Sequence, residues 1–330
     1  MDAGQERVLS LETLLPRLED SEQPVPTTEL GSLSALNAAD RKRFLDVWRG
    51  LSIRRRRDLI DRLADLAEDN VDFDFDNLFL AGLLDPDVQV RADSVRALWE
   101  YEDDDLAAML LRLLDDPEAL VRGEAALGLG RFLLRAELEG RDDARTREIE
   151  ERLRAIINDE QEIPEVRGRA IEAIGARSHD WVTDVIDDAY ASGDRRLRIS
   201  AVHAMGRNAD PQWLPTLLEE MESEDGELRF EAATAAGSIG DEEAIPSLAR
   251  LAEDDDAEVQ EAAIAALGQI GGPSARSALQ GLVEDQRDER VLNAVNEALA
   301  EAEFTEDPLG VHVQLDAGAA DDDDEGEDDE

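Results

Sequence analysis

From Val90 onward the chain repeats one arrangement of apolar and polar positions. An aliphatic anchor is followed by small or apolar residues four, five, seven and eight places on. The pattern reads VRADSVRALW from Val90, VRGEAALGLG from Val121, VRGRAIEAIG from Val166 and LRISAVHAMG from Leu197. It continues as LRFEAATAAG from Leu228, VQEAAIAALG from Val259 and VLNAVNEALA from Val291. The anchors are spaced 31, 45, 31, 31, 31 and 32 residues apart, and a weaker copy, RRRDLIDRLA, begins at Arg55. At about 100° per residue, positions 0, 4, 5, 7 and 8 share one arc of a helix. Each copy therefore predicts the second helix, B, of a pair. A shorter amphipathic run precedes it as helix A, for example Pro211–Met221 with Leu214, Leu217 and Leu218, or Ile245–Ala252 with Leu248 and Leu251. Acidic turns such as Ser223–Gly226 and Asp254–Asp256 separate the runs. One pair cannot bury its own apolar face, but stacked pairs can. The predicted fold is all-α, an α-solenoid of about eight helix pairs.

Three segments depart from the period. Residues 1–39 hold a short amphipathic helix, Gln5–Asp20, and a linker containing Pro24 and Pro26. The repeats occupy 40–306, and within them the interval from Val121 to Val166 carries 14 extra residues. These are expected to lengthen helix B through Glu139 and to place a charged loop at Gly140–Arg147. Residues 307–330 lose the pattern, and nine of the last ten are acidic. That composition predicts a disordered tail.

The unit D-x-x-V-R-x-x-A-x-x-A-L-G at this period resembles the HEAT family in its shorter, phycobilisome-lyase-like form, from Asp40 to about Phe304. The segment from Phe44 to Arg135 also resembles the start of a bacterial and archaeal HEAT-repeat group. A Trp-containing helix, an Arg-rich helix ending in LAEDN, and LLDPDVQVR…LWE follow in that order. The resemblance implies a right-handed superhelix that binds other proteins, and it implies no shared chemistry.

Composition narrows the picture. Aromatic residues are only 4%, so the core must be aliphatic and rich in small side chains. Cysteine is absent, which removes disulfides, thiolate metal sites and thiol catalysis. The N-terminus lacks the order of a signal peptide, and no run approaches a membrane span, so the expected location is the cytoplasm. The net charge is −48, and Lys42 is the only lysine. Acids spread through amphipathic helices with almost no lysine resemble proteins of salt-in halophiles, typically archaea. In molar salt the Debye length is about 3 Å, so such a surface is screened and hydrated, and its charge says little about a partner.

The arginines after the anchors, Arg91, Arg122, Arg167, Arg198 and Arg229, lie beside the apolar arc and need partners. Acids stand in the turns at Asp87, Asp116, Glu162, Asp194 and Asp225, which predicts a structural Arg–acid ladder joining consecutive repeats. It ends where Gln260 and Leu292 replace arginine. The glycines nine places after the anchors, Gly130, Gly175, Gly206, Gly237 and Gly268, are isolated and late in their helices. They suit close helix approach rather than a phosphate cradle, with Gly240 and Gly271 as helix stops. Trp181 and Trp213 are expected at packed edges between stacked repeats, and Trp48 and Trp99 as core or cap residues. Positions 2 and 6 after the anchor face away from the core arc. In two adjacent repeats they are Ile199 with His203 and Phe230 with Thr234, which makes these four the candidate partner-binding residues.

No pair among His179, His203 and His312 has metal-ligand spacing, and no nucleophile elbow, P-loop or zincin helix occurs. Neither cofactor nor catalysis is expected. The basic stretch Arg41, Lys42, Arg43, Arg49, Arg54–Arg57 and Arg62 is interleaved with Asp40, Asp46, Asp58 and Asp61. Pairing with those acids, or docking of the acidic tail, is preferred there to nucleic acid, whose phosphate contacts weaken steeply in salt. The expectation is a monomeric scaffold or adaptor holding a protein partner. The alternatives are a HEAT-like lyase or enzyme accessory subunit, and a nucleic-acid factor using the Arg-rich first repeat. The sign of charge along the outer columns of the B helices separates these, since mixed columns favour protein and a continuous basic stripe favours nucleic acid.

Overall fold

A computed structural model describes residues 10–20, 24–101, 103–285 and 288–306. The expected disordered tail at 307–330 and His312 lie outside the described residues, as do the first residues of the predicted Gln5–Asp20 helix.

Among the described residues there are eighteen α-helices and no strands. Two short helices, α1 (Leu11–Glu19) and α2 (Thr27–Leu30), precede eight pairs. In chain order these are α3 and α4 (Ala38–Trp48, Ile53–Asp69), α5 and α6 (Asp76–Gly82, Val88–Ala97), and α7 and α8 (Asp104–Leu113, Ala119–Leu138). Next come α9 and α10 (Ala144–Asn158, Pro164–Ile174), and α11 and α12 (Asp180–Ala191, Arg195–Asn208). The last three are α13 and α14 (Leu214–Glu220, Gly226–Ile239), α15 and α16 (Ile245–Leu251, Ala257–Ile270), and α17 and α18 (Gly272–Asp285, Glu289–Glu306). The molecule is an α-solenoid, and one continuous core runs from Leu14 to Ala298.

Local chemistry sets the boundaries. The side chains of Asp87, Asp194, Asp225 and Asp256 each accept a backbone N–H at the start of a B helix. A side-chain acceptor at this position satisfies donors that the first turn leaves open. Gly240 ends α14 at φ +75°, a conformation that suits glycine.

Each B helix packs chiefly on the B helices before and after it, whereas successive A helices touch little. The glycine at position 9 permits this. A Cβ on Gly206 would lie 2.7 Å from the Cα of Ala235, and one on Gly175 would lie 3.0 Å from the Cα of Ala204. Gly130, Gly237 and Gly268 meet Ala173, Ala266 and Ala298 in the same way. Closer spacing between B helices than between A helices puts the B layer on the inner, concave side of the stack and the A layer on the outer side.

The arginine ladder is present, with its partners now defined. Arg91 grips Asp116 with two guanidinium nitrogens, at 2.8 and 2.9 Å, and also donates to the carbonyl of Asp85. Arg122 pairs with Glu162, Arg229 with Asp254, and Arg198 with the buried Glu220. Each rung thus joins a B helix to the turn or the A helix of the next repeat. A first rung, Arg56 to Asp85, is wholly buried, and Asp85 also accepts from the indole N–H of Trp48. Two expectations change. Among the described residues Arg167 meets no acid but donates to the carbonyl of Ile157, because Ala189 and Ser192 stand where Glu220 serves Arg198 and Asp254 serves Arg229. Asp87, Asp194 and Asp225 serve as helix caps, and Asp87 and Asp225 also receive Arg57 and Arg195 from the repeat before.

The 14-residue insertion is shared between two helices. It extends α8 to Leu138, and α9 already begins at Ala144, so the predicted loop of Gly140–Arg147 shrinks to its first four residues. Trp99, expected as a core or cap residue, is 58% exposed and so lies outside the core, because α6 ends at Ala97 and releases it. Trp213 is buried, and its indole donates to Asn208.

Candidate functional site

A B helix in this stack is covered on three sides: by its own A helix, by the preceding B helix and by the following one. Positions 3, 6 and 10 after the anchor form its open stripe, the least covered positions along much of the stack, although Asp93, Ser200, Glu172 and Ala176 among them are buried. This corrects the candidate patch. Ile199, at position 2, is 1% exposed and belongs to the core. The single-helix wheel treats everything opposite the A-side arc as free, but position 2 points at the next B helix. Phe230, also at position 2, is half-buried against the core. His203 and Thr234, at position 6, do reach the concave face. The Nδ1 of His203 lies 3.0 Å from Oε2 of Glu231, and the exposed Thr234 hydroxyl donates back to the Phe230 carbonyl. The four residues therefore do not form one apolar patch.

The open stripe carries charge of both signs. The first pair contributes Asp58, Asp61 and Asp65, and burial together with the nearby Asp93, Asp65 and Asp58 raises the Asp61 pKa. In α6, Arg96 bridges Asp93 at 2.5 Å and Glu124 of α8 at 3.1 Å. In α10 the buried Glu172 accepts from Arg169, Arg196 and Ser200, each at 2.7 Å. That network needs Gly168, whose Cβ would fall 2.4 Å from the Ser200 hydroxyl. Arg207 follows in α12, its pKa pushed down by burial while Glu172 opposes the shift. Beyond Glu231 the stripe is Thr234, Ser238, Ala262, Ala265, Gln269, Ala294, Glu297 and Glu301. At these three positions every cation lies in the second to fifth pairs.

The basic stretch of the first pair is largely occupied. Arg55 donates to the carbonyl of Asp20, Arg62 to the carbonyl of Val25, and Arg57 pairs with Asp87 at 2.8 Å. Arg56 is buried in its rung, and Arg43 and Arg49 lie beside Asp40 and Asp46.

One feature escaped the repeat pattern. Along α8, Leu120, Leu127, Leu134 and Leu138 line the open side. Leu120, Leu134 and Leu138 are 42%, 37% and 79% exposed. Their spacing of seven, seven and four is readable, but it runs through the insertion, where the 31-residue alignment breaks. At the N-terminal end of the stripe a cavity of about 340 Å³ opens between α8 and α10. Leu120, Gly123, Ile163, Arg169 and Arg196 line it.

Among the described residues no cluster of three metal-ligating side chains occurs, and no helix is long and apolar enough to cross a membrane.

A family model of HEAT repeats matches residues 77–146, 182–262 and 214–300, together more than half of the chain. The interval it skips holds most of α9 and all of α10, where the period is interrupted. No curated protein matches the sequence. Among solved structures, the chain is similar to the complex of CpcE and CpcF of phycocyanin lyase from Nostoc sp. PCC7120. Identity there is 17%, coverage is 91% of this chain and 98% of that one, and the TM-score is 0.49. Yeast importin-beta shows 14% identity over 92% of this chain and 48% of its own, at a TM-score of 0.47. Human deoxyhypusine hydroxylase shows 18% identity over 76% of this chain and 97% of its own, at a TM-score of 0.31.

Proposed function

The chain belongs to the HEAT-repeat family, and we propose that it is a non-catalytic scaffold or adaptor holding a protein partner along its concave face. The observation that carries this reading is the mixed, internally paired charge of the open stripe, from Asp58 through Arg96, Glu124 and Arg169 to Glu231, with buried Glu172 holding Arg169 from beneath. A surface gripping a phosphate backbone needs uncommitted cations in a row. Of the cations on this stripe, Arg96 and Arg169 already hold carboxylates and Arg131 donates to the Leu98 carbonyl. Alternating signs on a curved surface set register and partner choice in protein recognition. The acidic, nearly lysine-free composition supports work in a salt-rich cytoplasm, where such pairs are screened at the rim but persist where buried.

The test is affinity capture at molar salt followed by mass spectrometry, comparing the wild type with the double variant Thr234→Arg and Ser238→Arg. Both positions are exposed on the open stripe. One protein recovered reproducibly by the wild type and lost by the variant, with helical content unchanged, is the expected result. Recovery of DNA or a small molecule without a protein contradicts the proposal.

A further inference from the structure

The interrupted rung of the ladder leaves a guanidinium and a space side by side. Arg91, Arg122 and Arg229 each give Nε and Nη2 to the two oxygens of one carboxylate and Nη1 to a backbone carbonyl. Arg198 gives Nε and Nη2 to Glu220. Arg167 gives Nε to the carbonyl of Ile157, at 3.0 Å, and neither of its Nη groups has a protein partner among the described residues. The side chain is only half-buried, so its donors remain within reach of a ligand. A guanidinium is a planar fork whose paired N–H donors match a carboxylate.

The missing acid also leaves room. Ala189 offers a methyl group where Glu220 serves Arg198, and the Ser192 hydroxyl is turned to the Ala189 carbonyl at 2.7 Å. A cavity of about 210 Å³ opens at this place, among the end of α9, α10, α11 and the start of α12. At about 30 Å³ for each water, that is room for about seven waters, or for a ligand of about seven to nine heavy atoms. Ile171, Val185 and Leu197 give it an aliphatic lining, and Arg167 stands in its wall. Asp188 and Glu160, both exposed, complete it.

These groups select by charge as well as by size. A plain carboxylate satisfies Arg167 but enters against Asp188 and Glu160. A plain amine satisfies the acids and leaves Arg167 as it was. A molecule with both charges on one carbon and an aliphatic side chain meets all of them. We propose that the cavity binds a free aliphatic α-amino acid, whose carboxylate takes the place of the missing rung. Its ammonium group faces Asp188 and Glu160, and its side chain covers Ile171, Val185 and Leu197. Bound there, it ties α10 to the following repeat, as Glu220 and Asp254 tie α12 and α14 to theirs. The site does not rest on the scaffold reading, since none of its residues lies on the open stripe.

The probe is L-leucine, titrated calorimetrically into the full chain at one fixed KCl concentration. Isocaproate, which lacks the amino group, and isoamylamine, which lacks the carboxylate, are the comparisons. Leucine is expected to bind at least about tenfold more tightly than either, and to raise the melting temperature as its concentration increases. Arg167→Leu removes the fork, and Ser192→Asp supplies an acid from within the chain, as Asp254 does for Arg229. Each is expected to weaken leucine binding by about tenfold or more. Ser192→Asp should melt no lower than the wild type without ligand, so its loss of binding is not a loss of fold. Absence of leucine binding, or unchanged affinity in Ser192→Asp, overturns the proposal. So does equal affinity for isocaproate, which assigns the site to a plain carboxylate such as a peptide C-terminus.

Discussion

The tightest constraints in the molecule act on single atoms. Gly206 faces the backbone of Ala235, and a methyl group there has nowhere to go, since backbone cannot turn aside as a side chain can. Gly206→Ala is expected to cost about 1–3 kcal/mol through overpacking. Gly281 sits in α17 with open space where a methyl group would stand, so Gly281→Ala should stabilise by about 0.5–1 kcal/mol through helix propensity alone. Thermal unfolding of the two variants measures both, and shifts of the same sign would refute the contact argument. The five position-9 glycines were legible in the sequence because they recur. Ile199 was misread, because a wheel drawn for one helix knows nothing of the second B helix that covers position 2. The exposure of Trp99 is not legible either, because nothing in LWE announces that α6 stops two residues earlier.

At the scale of elements, the ladder couples repeats through turns. Arg122 and Arg229 hold Glu162 and Asp254 below the usual carboxylate range by donating hydrogen bonds to them. A carboxylate whose pKa is depressed on folding contributes stability above its unfolded value, about 3.9 for Asp and 4.3 for Glu. That stability is lost as pH falls through the lower folded value. The wild type should therefore unfold more readily as pH drops below about 4. Arg229→Leu should destabilise at pH 7 by about 1.5–3 kcal/mol and flatten part of that acid dependence. Urea unfolding at pH 7 and pH 3 measures both, and an unchanged pH slope in the variant would exclude Asp254 as a contributor. The existence of this ladder was legible from five arginines at one register. Its wiring was not, because an acid in the preceding turn and an acid in the following one look alike in a linear chain. The exception at Arg167 follows from Ala189 and Ser192, which replace both acids that a neighbouring repeat can offer.

At the scale of the whole molecule, stacking turns eight marginal pairs into one core, and each pair depends on its neighbours. A net charge of −48 opposes that compaction in dilute buffer. The melting temperature is expected to rise steeply between 0.1 M and 2 M KCl, as the Debye length falls from about 10 Å to below 3 Å. A flat response would remove the argument for a salt-rich cytoplasm. Period and pair number could be read from the sequence because they are set by hydrophobic spacing. The concave face could not, since it is defined by what three neighbouring helices leave uncovered.

On the proposed reading, the uncovered stripe of the B helices, and not the outer A layer, receives a protein. A photo-reactive residue placed in turn at Thr234 on the concave face and at the exposed Asp187 of α11 tests it in native extract. A protein adduct is expected from position 234 and none from position 187. An adduct formed from position 187 alone, or a nucleic-acid adduct from position 234, would contradict it.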